Sequence, residues 1–227
     1  MPNKKYASAL AVALSLTALT ALPVSGQNRD KQDKHSQPQA EKVIKDWKEQ
    51  PKKVAMEMMK KYGAPQEVTP QRIVWHKNGP WKRTGLINEE IDHKFPVPHK
   101  DMLLQVIDYQ VPPDKFDELA AYDGSVIVER TRGEMAARCD KEEANILALN
   151  LADEIVTGKR SVEEARKTYA EQIVALTSGQ PAPLMSKLNF QAQKNAADPD
   201  QTILDEATTQ KVKANMKEME KEKMKKQ

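Results

Sequence analysis

The chain has one cysteine, Cys139, in 227 residues. An internal disulfide is excluded, and with it the small stapled folds common among secreted domains. A C-x-x-C redox pair and a C-x-x-C-H haem attachment are excluded on the same ground. Glycine is also scarce, with eight residues scattered singly. Walker-type and dinucleotide loops are therefore missing, because both need closely spaced glycines to lay backbone N–H groups on phosphate. There is no G-x-S-x-G nucleophile elbow and no H-E-x-x-H pair, which argues against the commonest hydrolases and zinc proteases. Charge of one sign is lacking as well. The formal charge is +3, and it falls to +1 without Lys4 and Lys5. Seven lysines against three glutamates place +4 on residues 211–227, leaving residues 27–210 at −3. A near-neutral body with a basic tail does not have the footprint of a nucleic-acid reader, so no nucleic-acid partner is expected.

Long apolar runs are confined to the first residues. Lys4 and Lys5 precede an apolar stretch from Ala7 to Leu22, followed by Pro23 and the small residues Ser25 and Gly26. This is the pattern of a signal peptide, 1–26, cleaved before Gln27. The run is shorter than the ~20 residues that span a bilayer. A periplasmic or extracellular protein, soluble after cleavage and with no later membrane span, is expected.

Residues 27–40 hold one alanine and nothing larger that is apolar, which predicts a disordered leader containing His35. A helical region follows over 41–62, divided at Pro51, since proline suits the first turn of a helix better than its interior. Val54, Ala55, Met58, Met59 and Tyr62 recur at helical spacing, and Gly63 and Pro65 stop the run. Met58 and Met59 read as core filler rather than a soft-metal box.

Between 70 and 139 the pattern changes to strands and turns. "RIVWH" at 72–76, "WKRTGLI" after the "NGP" turn, and "MLLQVIDYQV" at 102–111 are strand-like, being rich in β-branched and aromatic residues. A short helix is expected over 114–122, then a hairpin turning near Arg132 and Gly133. Two helices follow. The first runs over 141–157 with Asp140 as cap, and puts Ala144, Leu147, Ala148, Leu151, Ala152 and Ile155 on its apolar face. Asn150, Asp153 and Glu154 fall on the opposite side. The second opens with the capping box Ser161–Glu164 and carries Val162, Ala165, Tyr169, Ile173 and Leu176, with Gly179 as its stop. Residues 179–200 read as a linker. Residues 201–227 read as a charged helical, coiled-coil-like or disordered tail. The fold class expected is α+β: one compact domain over 41–178, with a central antiparallel sheet flanked by helices.

Three groups of residues bear chemistry. His76, His93, His99 and Cys139 are all zinc or copper ligand types, with Asp92 and Asp101 able to ligate or to orient a histidine. His93 and His99 flank Pro96 and Pro98 in "DHKFPVPHK". If that stretch is polyproline II, its ends lie roughly 19 Å apart, too far for one metal, and it reads as a rigid connector. Cys139, ahead of a helix start, is the second candidate, as a reactive thiol whose pKa a helix N-terminus would lower. Third, eight of the eleven aromatics fall within 47–122. Trp75, Trp81 and Phe95 form a candidate binding surface, with Trp81, beside the turn, the most exposed.

The reading favoured on these grounds is a secreted, non-enzymatic domain of the bacterial envelope that needs no cofactor and binds a protein, peptide or glycan. The alternative is a metal- or thiol-dependent enzyme built on His76, His93, His99 and Cys139, with a transition metal as cofactor.

Overall fold

The computed structural model describes residues 37–194 and 196–225; the expected signal peptide and the leader as far as Ser36, His35 included, lie outside them. Helix α1 covers 37–44, so the end of the expected leader is helical. The break before α2 (Glu49–Tyr62) falls just ahead of Pro51, which sits in the first turn of α2. Trp47, in the break, is buried and donates Nε1–H to the Pro70 carbonyl at 2.8 Å. Val54, Ala55 and Met58 are the buried stripe of α2.

Strands β1 (Glu67–Thr69), β2 (Arg72–Asn78), β3 (Trp81–His93), β4 (His99–Asp108), β5 (Val126–Glu129) and β6 (Glu134–Cys139) form one antiparallel sheet in the order β1-β2-β3-β4-β6-β5. Its register aligns Ile73, Leu86, Leu103 and Cys139 in one row. The next row is Trp75, Thr84, Gln105, Ala137 and Val126. All nine are buried, so this face carries the core. The β2–β3 turn needs Gly79 at φ +61, with the Tyr62 ring 3.1 Å from where a Cβ would stand. The β5–β6 hairpin turns as expected, with Gly133 at φ +60.

Helices α3 (Phe116–Tyr122), α4 (Glu142–Val156) and α5 (Val162–Thr177) complete the domain. The Ser161–Glu164 capping box forms, with Ser161 N–H donating to the Glu164 carboxylate at 2.9 Å and Glu164 N–H donating to Ser161 Oγ at 3.2 Å. Leu176, placed on the buried stripe by periodicity, is exposed near the end of α5. The residue at the N-cap of α4 is Lys141 rather than Asp140, and its side chain makes no capping bond. Asp140 instead lies 3.5 Å from the Cys139 thiol.

Two further expectations are corrected around α4. Asn150 and Asp153 are buried rather than solvated. The stretch expected as a linker packs over that side of the helix: Met185 is buried, and Leu184, Leu188 and Phe190 lie against the core. Asn150 is the pin. Its Nδ2 donates to the Leu184 and Lys187 carbonyls at 2.8 Å, and its Oδ1 accepts from Asn189 N–H at 2.8 Å. Low apolar content did not keep this segment free, because one buried amide satisfies its backbone. Asn150→Ala removes three hydrogen bonds and leaves the partly buried Leu184 and Lys187 carbonyls without that donor. A loss of about 2 kcal/mol is expected in urea unfolding, with faster proteolysis within 180–190. Unchanged protection of that segment would refute the pinning role.

The tail forms helix α6 (Glu206–Lys225), with no buried residue. Among the described residues no helix is long and apolar enough to cross a membrane.

Candidate metal centre

The "DHKFPVPHK" stretch is a hairpin turn, not an extended connector. His93 ends β3, His99 begins β4, and the two are direct cross-strand partners. The Phe95–Pro96 peptide is cis. The imidazole centroids are 4.9 Å apart, so the expected separation of the two histidines is overturned. The polyproline II argument assumed that the backbone keeps one direction, and here it reverses within five residues.

An irregularity in β3 decides which side chains meet. Leu86 pairs with Leu103, but Ile91 pairs with Asp101, so β3 holds four residues between those pairs where β4 holds one. Strand side chains alternate with a period of two, and a bulge of this kind re-aims those beyond it. On β3, even-numbered Thr84 and Leu86 share a face with odd-numbered Gln105 and Leu103 of β4. Past the bulge, odd-numbered His93 shares that face with Asp101 and His99. Asp92 points the other way, exposed and 2.6 Å from Lys100.

His93, His99 and Asp101 each offer one ligand-type atom, and these atoms all lie within 4.8 Å of one another. His99 Nδ1 is 2.8 Å from the Val97 carbonyl, the arrangement that fixes a tautomer and leaves Nε2 to face inward. Nε2 stands 3.1 Å from Asp101 Oδ1 and 3.4 Å from Cys139 Sγ. His93 Nδ1 lies 3.4 Å from Asp101 Oδ2, and its Nε2 lies 3.5 Å from Asp123 Oδ1. The histidine side chains keep 17% and 16% of their surface exposed, whereas Asp101 keeps none. Asp101 Oδ2 accepts from Ser125 Oγ. Its Oδ1 accepts no hydrogen bond of sound geometry.

The charges follow from this packing. The neighbouring Asp101 carboxylate and the Cys139 side chain hold the His99 imidazole protonated, raising its pKa to about 11. Burial works against ionised Asp101, but His99, Ser125 and His93 outweigh it and keep its pKa below the ordinary carboxylate value. Burial raises the pKa of Asp123. It also raises that of the Cys139 thiol, against the opposing effect of His99. The lowered thiol pKa expected from a nearby helix start is thus not found. The centre thus holds a buried ion pair in which Asp101 Oδ1 faces His99 Nε2 at 3.1 Å but off the line of a hydrogen bond. A buried oxygen so placed is under-satisfied, and a metal ion would satisfy it.

The other candidate residues lie elsewhere. His76, half-exposed on β2, is 2.6 Å from Glu67 and does not join His93 and His99 in their cluster. Trp75 and Trp81 are buried. Their indole N–H groups donate to the Gly63 carbonyl and to Glu142. The exposure expected of Trp81 is corrected, because a buried carboxylate behind the turn draws the indole inward. Phe95 is partly buried, its ring 5.0 Å from that of Tyr169, with the Arg166 guanidinium 4.0 Å over its face. These three side chains do not form one open stacking surface.

Asp123 and Ser125 were not singled out in the sequence. They belong to one local turn, in which Ser125 N–H donates to Asp123 Oδ1 at 2.8 Å. "DGS" announces such a turn, but nothing local says that it will meet His93.

Comparison with family models, with curated proteins and with solved structures finds no match to this chain.

Proposed function

We propose that this protein is an exported, non-enzymatic metal-binding domain that holds one transition-metal ion at His93, His99 and Asp101. The observation that carries the reading is the convergence of two imidazole nitrogens and a buried carboxylate within 4.8 Å, with Asp101 Oδ1 accepting no hydrogen bond of sound geometry. Two nitrogens and an oxygen suit zinc and its first-row neighbours better than magnesium or calcium, which prefer all-oxygen sites. Val97 and Asp123 stand where outer groups hold ligating histidines in place. Holding a metal, rather than using it on a bound substrate, fits the surroundings. One cavity of about 600 Å³ lies beside Tyr62, Glu142 and Phe190, and neither His93, His99 nor Asp101 lines it. Export rests on the basic start and apolar run of residues 4–22.

Zinc titrated into the purified full chain should bind at one equivalent by calorimetry. At a hundredfold excess over its Kd it should raise the unfolding free energy by about 2.7 kcal/mol. His93→Ala combined with His99→Ala should remove both effects. Failure of wild-type protein to bind any first-row divalent metal stoichiometrically would end this reading.

A further inference from the structure

We propose that Cys139 is the fourth ligand of this centre, making it a two-histidine, one-aspartate, one-thiolate site that takes zinc. The inference rests on the metal-holding reading above and names the cation's chemistry. Cys139 is the last residue of β6 and pairs with Leu103, which places its side chain on the same sheet face as Asp101 and His99. Its Sγ is 3.4 Å from His99 Nε2, the nitrogen left facing inward by the Val97 contact. The thiol is nearly buried. Its other polar neighbour is Asp140 Oδ1 at 3.5 Å.

Two of these separations match edges of a coordination tetrahedron. With metal–sulfur and metal–nitrogen bonds of about 2.3 and 2.0–2.1 Å, a sulfur–nitrogen edge is about 3.6 Å, and a nitrogen–oxygen edge is about 3.3 Å. The corresponding distances are 3.4 Å for Sγ to Nε2 and 3.1 Å for Nε2 to Asp101 Oδ1. Seating one ion among all four requires the Cys139 side chain to turn further towards His93 and Asp101, since its Sγ neighbours His99 but lies outside the 4.8 Å cluster of the other three. Oδ1 of fully buried Asp101 faces His99 Nε2 without a hydrogen bond of sound geometry, which leaves it able to accept a metal. Binding would displace one proton from the His99 imidazolium and one from the Cys139 thiol to solvent, and the resulting thiolate and carboxylate, with both imidazoles neutral, match the charge of a divalent ion. Four ligands complete a tetrahedron and so close the site, as in structural zinc centres.

The test uses the full chain under a reductant that does not bind metal. Cobalt(II), a spectroscopic stand-in for zinc, should give visible bands of tetrahedral intensity and a near-ultraviolet thiolate-to-cobalt charge-transfer band. Cys139→Ser should lose the charge-transfer band and weaken zinc binding by at least the roughly 10- to 100-fold that loss of a mere outer partner costs, with an unchanged circular dichroism spectrum. X-ray absorption of zinc-loaded wild-type protein does not depend on how the variant folds, and should show one sulfur at about 2.3 Å. A zinc shell of nitrogen and oxygen alone, with Cys139→Ser binding as tightly as wild type, would overturn the thiolate and leave the metal-holding reading standing. Absence of stoichiometric zinc and cobalt binding by wild type would overturn both.

Discussion

Glu142→Ala is expected to destabilise the fold by about 3–5 kcal/mol, read as the shift in the urea midpoint at constant slope. Glu142 opens α4 with its side chain 97% buried. Its carboxylate accepts from Lys61 Nζ and Tyr62 Oη at the end of α2, from Trp81 Nε1 on β3, and from Gln105 Nε2 on β4 at 3.3 Å. One side chain thus ties two helices to the central strands. Burial disfavours its charge, but the bonds from Lys61, Tyr62 and Trp81 prevail and keep its pKa below the ordinary value. Truncation leaves the indole and phenol donors of buried Trp81 and half-buried Tyr62 without their acceptor, and that desolvation penalty dominates the loss. Glu142→Gln keeps an acceptor and should cost clearly less. A loss under about 1 kcal/mol for the alanine variant would show that water replaces the carboxylate freely.

Acid should remove about 3 kcal/mol through a second buried carboxylate. Glu134 on β6 receives a two-pronged bond from Arg83, at 2.8 and 2.5 Å, and a contact from Lys82 at 2.9 Å. Its side chain is 3% exposed. These bonds, Arg83 first, overcome burial and lower its pKa from 4.5 to about 2. The folded-state pKa lies below the unfolded one, so the stabilisation is fully present above about pH 5 and lost as pH falls from about 4.5 towards 2. The figure is held near 3 because Arg83 and Lys82 remain partly solvated. Glu134→Gln should be less stable than wild type by that amount near pH 6, and the two should converge near pH 2. Parallel pH profiles would show that Glu134 is not a source of the acid sensitivity.

The candidate site was only partly legible. His93, His99, Cys139 and Asp101 are ligand-type residues and could be named from type alone. Their convergence could not, because period-two counting from Leu86 puts His93 on the wrong face. The bulge between Leu86 and Ile91 reverses that assignment, and a bulge in a polar stretch such as "NEEID" leaves no mark on the alternation. Pro96 and Pro98 were likewise misleading, since proline favours extended backbone and also occurs in turns. His76 had the same residue type as the others and a different fate, because strand order places it beside Glu67. Trp81 was misjudged because the acceptor that draws it inward, Glu142, lies sixty-one residues away.

Local patterns alone determined the α+β class, α2 and its glycine stop, the Ser161 capping box, the β5–β6 hairpin and the apolar face of α4. Each depends on neighbours within about one turn or one strand, where 3.6- and 2-residue periods and the special backbone of glycine and proline act directly. Only tertiary structure decided the rest: the packing of 182–190 over Asn150, the burial of both tryptophans around Glu142, and the meeting of His93, His99, Asp101 and Cys139. Those outcomes depend on strand order, on one bulge and on buried polar groups finding partners far along the chain, interactions that have no period in the sequence.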